Sequence, residues 1–465
     1  MAPSNMVSVL EKCLVAPPPN TVQEKSVPLT FFDLPFLHCP LIHHIFFCNY
    51  SHSTSHFTSE VIPKLKDSLS LTLKHYFPLA GHLMVPCDSS KPKIYYTDGD
   101  SVSLAIMESN QDFSYLTSNI ARNCDEFYPL VPKLPPSVSQ PSGTILAPLL
   151  AVQVTLFPST GISVGFTFQR VPADGSSFHG FIRSWAEILK CGNDEALIAS
   201  ETLPHYDRSL INDPNALESI FWNQIRKKKF EGAQPLYAPA NNVRATFIMH
   251  QSDVQRLKKM VSEKCPKLSH VTTFTVTCAY IWTCMIKSRK ASGEEIKEND
   301  LEHFMFGADC RSLMVPPVPP NYFGNCLVYC IITEKTTQLM QEEEGFFIAS
   351  KLMGEAIRDK LHDNKKDGFL NGAEKWVTEF EGLNPERLVG VAGSPKFAVY
   401  DMDFGWGKPE KSEVVSIDAS GSISLNECRD FKGDLEVGLS FPKIKMEAFA
   451  TIFANGLIAA KNAYF

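Results

Sequence analysis

The chain predicts an α/β protein built as two mixed halves, and three observations carry that expectation. With 465 residues it is too long for one ordinary core, so two units of roughly 200 residues each are expected. Strand and helix periodicities follow one another in both halves. Between them a stretch rich in Pro, Asn and Asp, 201–242, which includes LPHYDRSLINDPN, reads as a crossover. The expected units are therefore 1–200 and 243–465.

Each element has its own signal. In 59–76, SEVIPKLKDSLSLTLKHY, residues Leu65, Leu69 and Leu73 stand four apart and form one apolar face of a helix that stops at Pro78. In 162–168, Ile162, Val164, Phe166 and Phe168 alternate with Ser163, Gly165 and Thr167, which predicts a strand with one buried face. The alternation carries Arg170 onto the apolar side, so its side chain is expected to point inward. A turn at 172–175 follows, with Ser176 and Ser177 as capping candidates, and then a helix whose Phe178, Phe181, Ile182, Trp185 and Leu189 share a face. By the same spacing His179 falls off that face and reads as a solvated surface histidine. The second half repeats the pattern with a strand at 243–249, helices near 272–287, 344–361 and 445–459, and a strand in which Leu435, Val437, Leu439 and Phe441 alternate.

Composition bounds the partners. A hydrophobic content of 44% and an aromatic content of 11% are enough to fill two cores. The net charge of −7 comes from scattered acids with no basic stripe, which argues against nucleic acid. The N-terminal MAPSNMVSVLEKCLVAPPP lacks a basic segment followed by an apolar run, so no secretory signal is expected. The longest apolar run, ILAPLLAVQVTLF at 145–157, contains Pro148 and is too short to cross a membrane. Thirteen cysteines at irregular spacing, with Cys278/Cys284 and Cys326/Cys330 closest, lack further ligands at zinc spacing; they read as free thiols of a reducing cytosol, and no metal is expected.

An ordered set of motifs spans nearly the whole chain: FPLAGHL at 77–83, ADG at 173–175, TFTVTCAYIW at 273–282, ADCRSLMVPPVPPNYFGNC at 308–326 and DFGWGKP at 403–409. Taken together it resembles the plant BAHD acyltransferases, which move an acyl group from coenzyme A to an alcohol or amine of a specialised metabolite. Within that family YDRSLI at 206–211, NYFGNC at 321–326 and GSISL at 421–425 are similar to the branch of malonyl-CoA-dependent transferases acting on flavonoid and other glycosides. The resemblance implies two coenzyme-A-transferase-like domains with mixed sheets and a channel between them. It also implies an acyl-CoA co-substrate, a small plant metabolite as acceptor, no bound cofactor, and a cytoplasmic monomer.

One position departs from the family. Its catalytic loop is written HxxxDG, and here it reads RVPADG, with Arg170 in place of the histidine and Asp174 and Gly175 kept. An alcohol attacks a thioester only as a base removes its proton. A guanidinium has five donors, no acceptor, and does not deprotonate in proteins, so Arg170 is not that base. Losing general-base help costs roughly 10²- to 10⁴-fold in rate. His38, in FDLPFLHCPLIHH, lies in a segment that borders the channel in the family and is the candidate replacement.

The remaining roles are implied by the resemblance. Asp174 is expected to pair with Arg311 of the Asp309-Cys310-Arg311 stretch and so hold the loop. Asp403, Gly405, Trp406 and Gly407 of DFGWG are expected to shape one side of the donor channel. Arg429, in SLNECRD, is the candidate cation for a malonyl carboxylate, which is costly to bury unpaired; the plainer alternative is an ion pair with Glu427 or Asp430 at a sheet edge. Asn325 is grouped with it as an acyl-binding residue. Three readings follow. The first is an acyltransferase using a substitute base or an already nucleophilic acceptor. The second is an enzyme that binds an acylated metabolite such as a malonyl ester and promotes elimination, cyclisation or displacement, with Arg170 stabilising the leaving carboxylate. The third, a binding protein without catalysis, predicts drift in the other motifs, which the sequence does not show. The first is placed ahead.

Overall fold

The computed structural model describes residues 7–88, 90–194, 202–232, 241–362 and 368–463. The expected boundary at 200 and residues 233–240 of the crossover lie outside the described residues. Among the described residues, three mixed or antiparallel sheets are flanked by helices. In the first, the strands run Val7–Val15, Val102–Ser109, Leu150–Phe157, Gly161–Phe168, Ile42–Asn49 and Lys411–Val414 in spatial order. The second runs Leu327–Lys335, Leu301–Asp309, Leu388–Ala392, Ile423–Glu427, Leu435–Pro442, Asn242–Met249 and Arg122–Asn123. A smaller five-stranded sheet includes Lys25–Pro28 and His82–Val85.

Each large sheet borrows an edge strand from the other half of the sequence. Lys411–Val414 pairs with Ile42–Asn49, and Arg122–Asn123 pairs with Asn242–Met249. Charged residues at this exchange are buried and mutually compensated. Arg122 meets Glu413 at 2.8 Å, and Arg244 meets Asp418 at 3.3 Å, so neither cation is left unpaired in the interior.

The helix signals hold closely, at Ile62–His75, Gly175–Lys190, Thr273–Ala291, Glu344–Ile357 and Lys443–Ala463. The strand expected to bury one face buries both. Its small residues face a second layer: a Cβ on Gly165 would stand 2.2 Å from the Leu130 carbonyl oxygen, and the Thr167 hydroxyl donates to the Pro132 carbonyl. The alternation therefore marks two buried faces of different chemistry, one large and apolar, one small and polar. The crossover also contains a helix, Leu217–Ile225, whose first turn is capped by Asp213 through the Leu217 and Glu218 amides. Leu217, Phe221 and Ile225 of that helix are buried, a helical spacing that the preceding Asn-Asp-Pro-Asn run obscures.

Candidate active site

The loop 170–174 joins the strand Gly161–Phe168 to the helix Gly175–Lys190. Asp174, not Ser176 or Ser177, caps the helix, accepting from the Ser177 amide at 3.0 Å. An aspartate with extended backbone just ahead of a helix satisfies an orphan N–H and places negative charge at the positive end of the dipole. Ser177 turns its hydroxyl to the segment 322–324 instead, accepting from the Gly324 amide at 3.1 Å.

Asp174 is also the buried half of an ion pair. Its Oδ2 lies 2.9 Å from Arg311 Nη1, and the two side chains are 1% and 4% exposed. The Cys326 amide donates to the same oxygen at 3.2 Å. Arg311 Nη2 reaches the Ser177 hydroxyl and the Tyr322 and Gly324 carbonyls at 3.1–3.2 Å. The loop is thus locked to NYFGNC from below. Gly175 is held equally tightly, because a Cβ there would stand 2.5 Å from Cζ of Phe397.

Arg170 points inward, as the alternation predicts. Its guanidinium lies over the Phe36 ring at 4.0 Å, donates through Nη1 to the Ala173 carbonyl at 2.7 Å, and donates also to Asn325 Oδ1. The Tyr329 ring stands 6.0 Å from the same Phe36 ring. Among the described residues no carboxylate pairs with Arg170. Asn325 is fully buried, and its Nδ2 donates to Asp33 Oδ1 and the Val171 carbonyl at 3.0 and 2.7 Å, so its visible work is to hold Arg170 and the loop. Asp33 was not read from the sequence. Nothing in its immediate neighbourhood separates a buried acceptor from an ordinary turn aspartate, although it caps its own turn through the Thr30 amide.

Phe36 and Tyr329 also line a cavity of about 560 Å³ between residues 31–39 of the first half and residues 305, 327–331, 356–360 and 371–381 of the second. Phe31, Trp376 and Phe380 add aromatic wall, and His38 is on the lining. His38 Nε2 is 3.2 Å from the Ile225 carbonyl, which can only accept, so the proton resides on Nε2 and Nδ1 is the basic atom. Burial holds this imidazole below its ordinary range and therefore neutral near pH 7, a tendency that the hydrogen bond to Ile225 partly opposes.

Several expectations fall elsewhere. His179 is buried, not solvated: its Nδ1 contacts the Gly175 carbonyl at 2.7 Å and its ring stacks on Phe397 at 4.5 Å. Helical spacing missed this because the segment around Phe397 covers the face opposite the apolar stripe. Burial pushes His179 down to about 4. Arg429 lies in the loop between Ile423–Glu427 and Leu435–Pro442 and is engaged by Glu410 at 2.6 Å, Asp430 at 2.9 Å and the Pro409 carbonyl. It is not on the lining of that cavity, and its ion pairs are those of the sheet-edge alternative, with Glu410 in place of Glu427. In DFGWG, Asp403 accepts from the Gly405 and Gly407 amides at 2.8 Å and pairs with Lys190 at 2.8 Å. Both glycines have φ near +90°, a conformation other residues rarely adopt. Trp406 packs on Phe404 and against Tyr50.

This arrangement offers a cavity with aromatic wall, a neutral imidazole at His38 on its lining, and a fixed cation, Arg170, packed on the Phe36 ring of that wall. Residues 5–455 match the Transferase family. The malonyl-coenzyme A:anthocyanin 3-O-glucoside-6''-O-malonyltransferase of Dahlia pinnata is 43% identical, covering 98% of each chain. Phenolic glucoside malonyltransferase 1 of Nicotiana tabacum is 46% identical over 97% of this chain and 99% of its own. In fold, the crystal structure of vinorine synthase superposes with a TM-score of 0.68 at 19% identity, covering 95% of this chain and 96% of that one.

Proposed function

Because the chain belongs to the Transferase family, the plant BAHD acyltransferases whose motifs it carries, we propose that it transfers a malonyl group from malonyl-coenzyme A to a hydroxyl or amine of a glycoside or related small plant metabolite. His38 takes the role of the missing loop histidine. The observation that carries this reading is a neutral imidazole on the cavity wall whose Nε2–H is tied to a carbonyl, leaving Nδ1 to take a proton. Asp174, Arg311 and Asn325 position the loop. Arg170 supplies positive charge behind the Phe36 ring of the cavity wall. The acceptor forms a bond to the thioester carbon as its proton passes to His38. The C–S bond then breaks, and coenzyme A leaves as a thiolate that recovers the proton. Two mixed domains, 1–200 and 243–465, joined by the crossover, fit the sheet pattern with its exchanged edge strands. The relatives' printed activities support the malonyl donor and glycoside acceptor.

A second reading is favoured by one observation, the Arg170 guanidinium that lacks a carboxylate partner among the described residues. Such a cation can hold the carboxylate of a bound malonyl ester as it leaves in an elimination, cyclisation or displacement. The two readings separate in one experiment. Purified protein is given malonyl-CoA with a panel of phenolic glucosides and amines, or a malonylated metabolite without coenzyme A. Release of free coenzyme A with a malonylated product supports transfer. Release of malonic acid from the ester alone, with no coenzyme A released in the first arm, overturns transfer and supports displacement.

A further inference from the structure

We propose that Lys360 is the cation of the cavity that takes a carboxylate of the bound ligand, so that the site selects acidic substrates by charge as well as by shape. The inference rests on the reading that this cavity receives the substrates, and it adds the residue that recognises one of their groups. The charged side chains on the lining are Lys228, Asp359, Lys360, Glu379 and Glu381. Lys228 is taken by Glu381 at 2.8 Å, and Asp359 by Arg358 at 2.8 Å. Glu379 stands exposed on the short helix Trp376–Glu381 and is not paired with Lys360. Among the described residues no carboxylate pairs with Lys360, and it is the cation of the lining whose charge the protein leaves uncompensated. The other cations considered are committed elsewhere: Arg170 lies behind the Phe36 ring with donors on Ala173 and Asn325, and Arg429 is engaged by Glu410 and Asp430.

The position is built into the fold. The turn Arg358–His362 continues the helix Glu344–Ile357, and Ala356 and Lys360, four residues apart, share the face turned to the cavity. Lys360 Nζ lies over the Trp376 ring, 5.4 Å from its centroid. Trp376 is buried and stacks on Phe221 at 6.2 Å. Phe221 belongs to the helix Leu217–Ile225, whose last residue holds His38 through its carbonyl, so one helix supports both the ammonium and the imidazole. An indole face attracts a cation without neutralising it. The ammonium has three N–H donors and no acceptor, and contact with the ring leaves donors for an oxygen.

The chemistry of the lining sets the class of that oxygen. Phe31, Phe32, Phe36 and Phe380 surround the cavity with rings, among which a carboxylate is costly to bury unless a charged donor meets it. At Lys360 it gains charge-assisted hydrogen bonds, which are about twice as strong as neutral ones. Two ligands of the proposed reaction carry such a group: the malonyl donor, through its free carboxylate, and an acceptor glycoside that is itself acidic, such as a glucuronide.

Calorimetric titration of the parent, Lys360→Gln and Lys360→Arg tests the assignment without requiring turnover. The probes are malonyl-CoA against acetyl-CoA, and phenyl glucuronide against phenyl glucoside, each acidic probe beside a counterpart that lacks the carboxylate. Lys360→Gln should bind at least one acidic probe about tenfold or more weakly while its counterpart stays within about twofold of the parent. Lys360→Arg, which keeps the charge, should retain most of the affinity. A selective loss for malonyl-CoA assigns the carboxylate to the donor, and a selective loss for the glucuronide assigns it to the acceptor. A lysine that is merely solvated at the cavity mouth predicts parent-like binding of both acidic probes by Lys360→Gln, and that result overturns the inference. So does an equal loss for acidic and neutral probes, or a parent that binds neither acidic probe. The transfer reading is judged separately, by release of coenzyme A from malonyl-CoA with an acceptor present; a parent that releases none while binding by charge fails that reading and leaves Lys360 in its role.

Discussion

Replacing Arg311 by Met should destabilise the protein far more than loss of a surface cation, and the structure sets the size of the effect. The Arg311–Asp174 contact is 2.9 Å long between side chains 4% and 1% exposed. An exposed pair would be worth about 0–1 kcal/mol. Here the variant strands a carboxylate in the interior with only the Ser177 and Cys326 amides as donors, at 3.0 and 3.2 Å. It also removes the donor shared by Ser177, Tyr322 and Gly324. Breaking one side of a buried pair costs about 3–5 kcal/mol. At about 2–4 °C per kcal/mol for a domain of a couple of hundred residues, the melting temperature should fall by on the order of 10 °C. The assay is scanning calorimetry at pH 7 of the parent, Arg311→Met, and Arg311→Met combined with Asp174→Asn. The double variant leaves no charge stranded, so it should melt higher than the single one. A single variant within about 2 °C of the parent would refute the reasoning. So would a double variant that melts lower than the single one.

Two further outcomes follow from buried and engaged side chains. His179, held at about 4 by burial, is neutral when folded and binds a proton more readily when unfolded. Stability should therefore fall as pH drops from about 6.5 toward 4, by up to about 3 kcal/mol from this residue. In His179→Gln the melting temperature should lose less over that range, with a residual slope from His43, also held at about 4 by burial; equal losses in parent and variant would refute the assignment. Arg429→Ala should leave KM for malonyl-CoA within about twofold of the parent, since Glu410 and Asp430 already occupy the guanidinium. A tenfold or larger rise would restore Arg429 as the cation that holds the donor.

Where the sequence spoke clearly, it did so through periodicity. The 3.6-residue spacing in 59–76 and the alternation in 162–168 place a helix and a strand because each period has one physical origin, a side chain directed at a core. The inward aim of Arg170 follows from the same alternation, and its lack of a carboxylate partner among the described residues follows from geometry that alternation cannot see. His179 was misread because spacing reports one face of a helix, and a chain distant in sequence, at Phe397, buried the other. The partner of Arg429 was hidden in the same way, since Glu410, which takes its guanidinium, lies 19 residues away in sequence. Asp33 and the Ile225 carbonyl that orients His38 have no local signature. They matter only because the fold brings 33 to 325 and 170, and 225 to 38. The protonated face of an imidazole is likewise a property of what it faces, not of the residue.

The pH dependence of malonyl transfer in the parent and in His38→Asn tests the proposed chemistry most directly. If Nδ1 of His38 is the proton acceptor, kcat/KM in the parent should be level near neutrality and fall in acid with a midpoint below the ordinary imidazole value of about 6.5, because burial lowers this group and the neutral form is the active one. His38→Asn should transfer about 10²-fold or more slowly at pH 7 and lose that acid limb. A His38→Asn variant that keeps the parent rate and the parent profile would contradict the account.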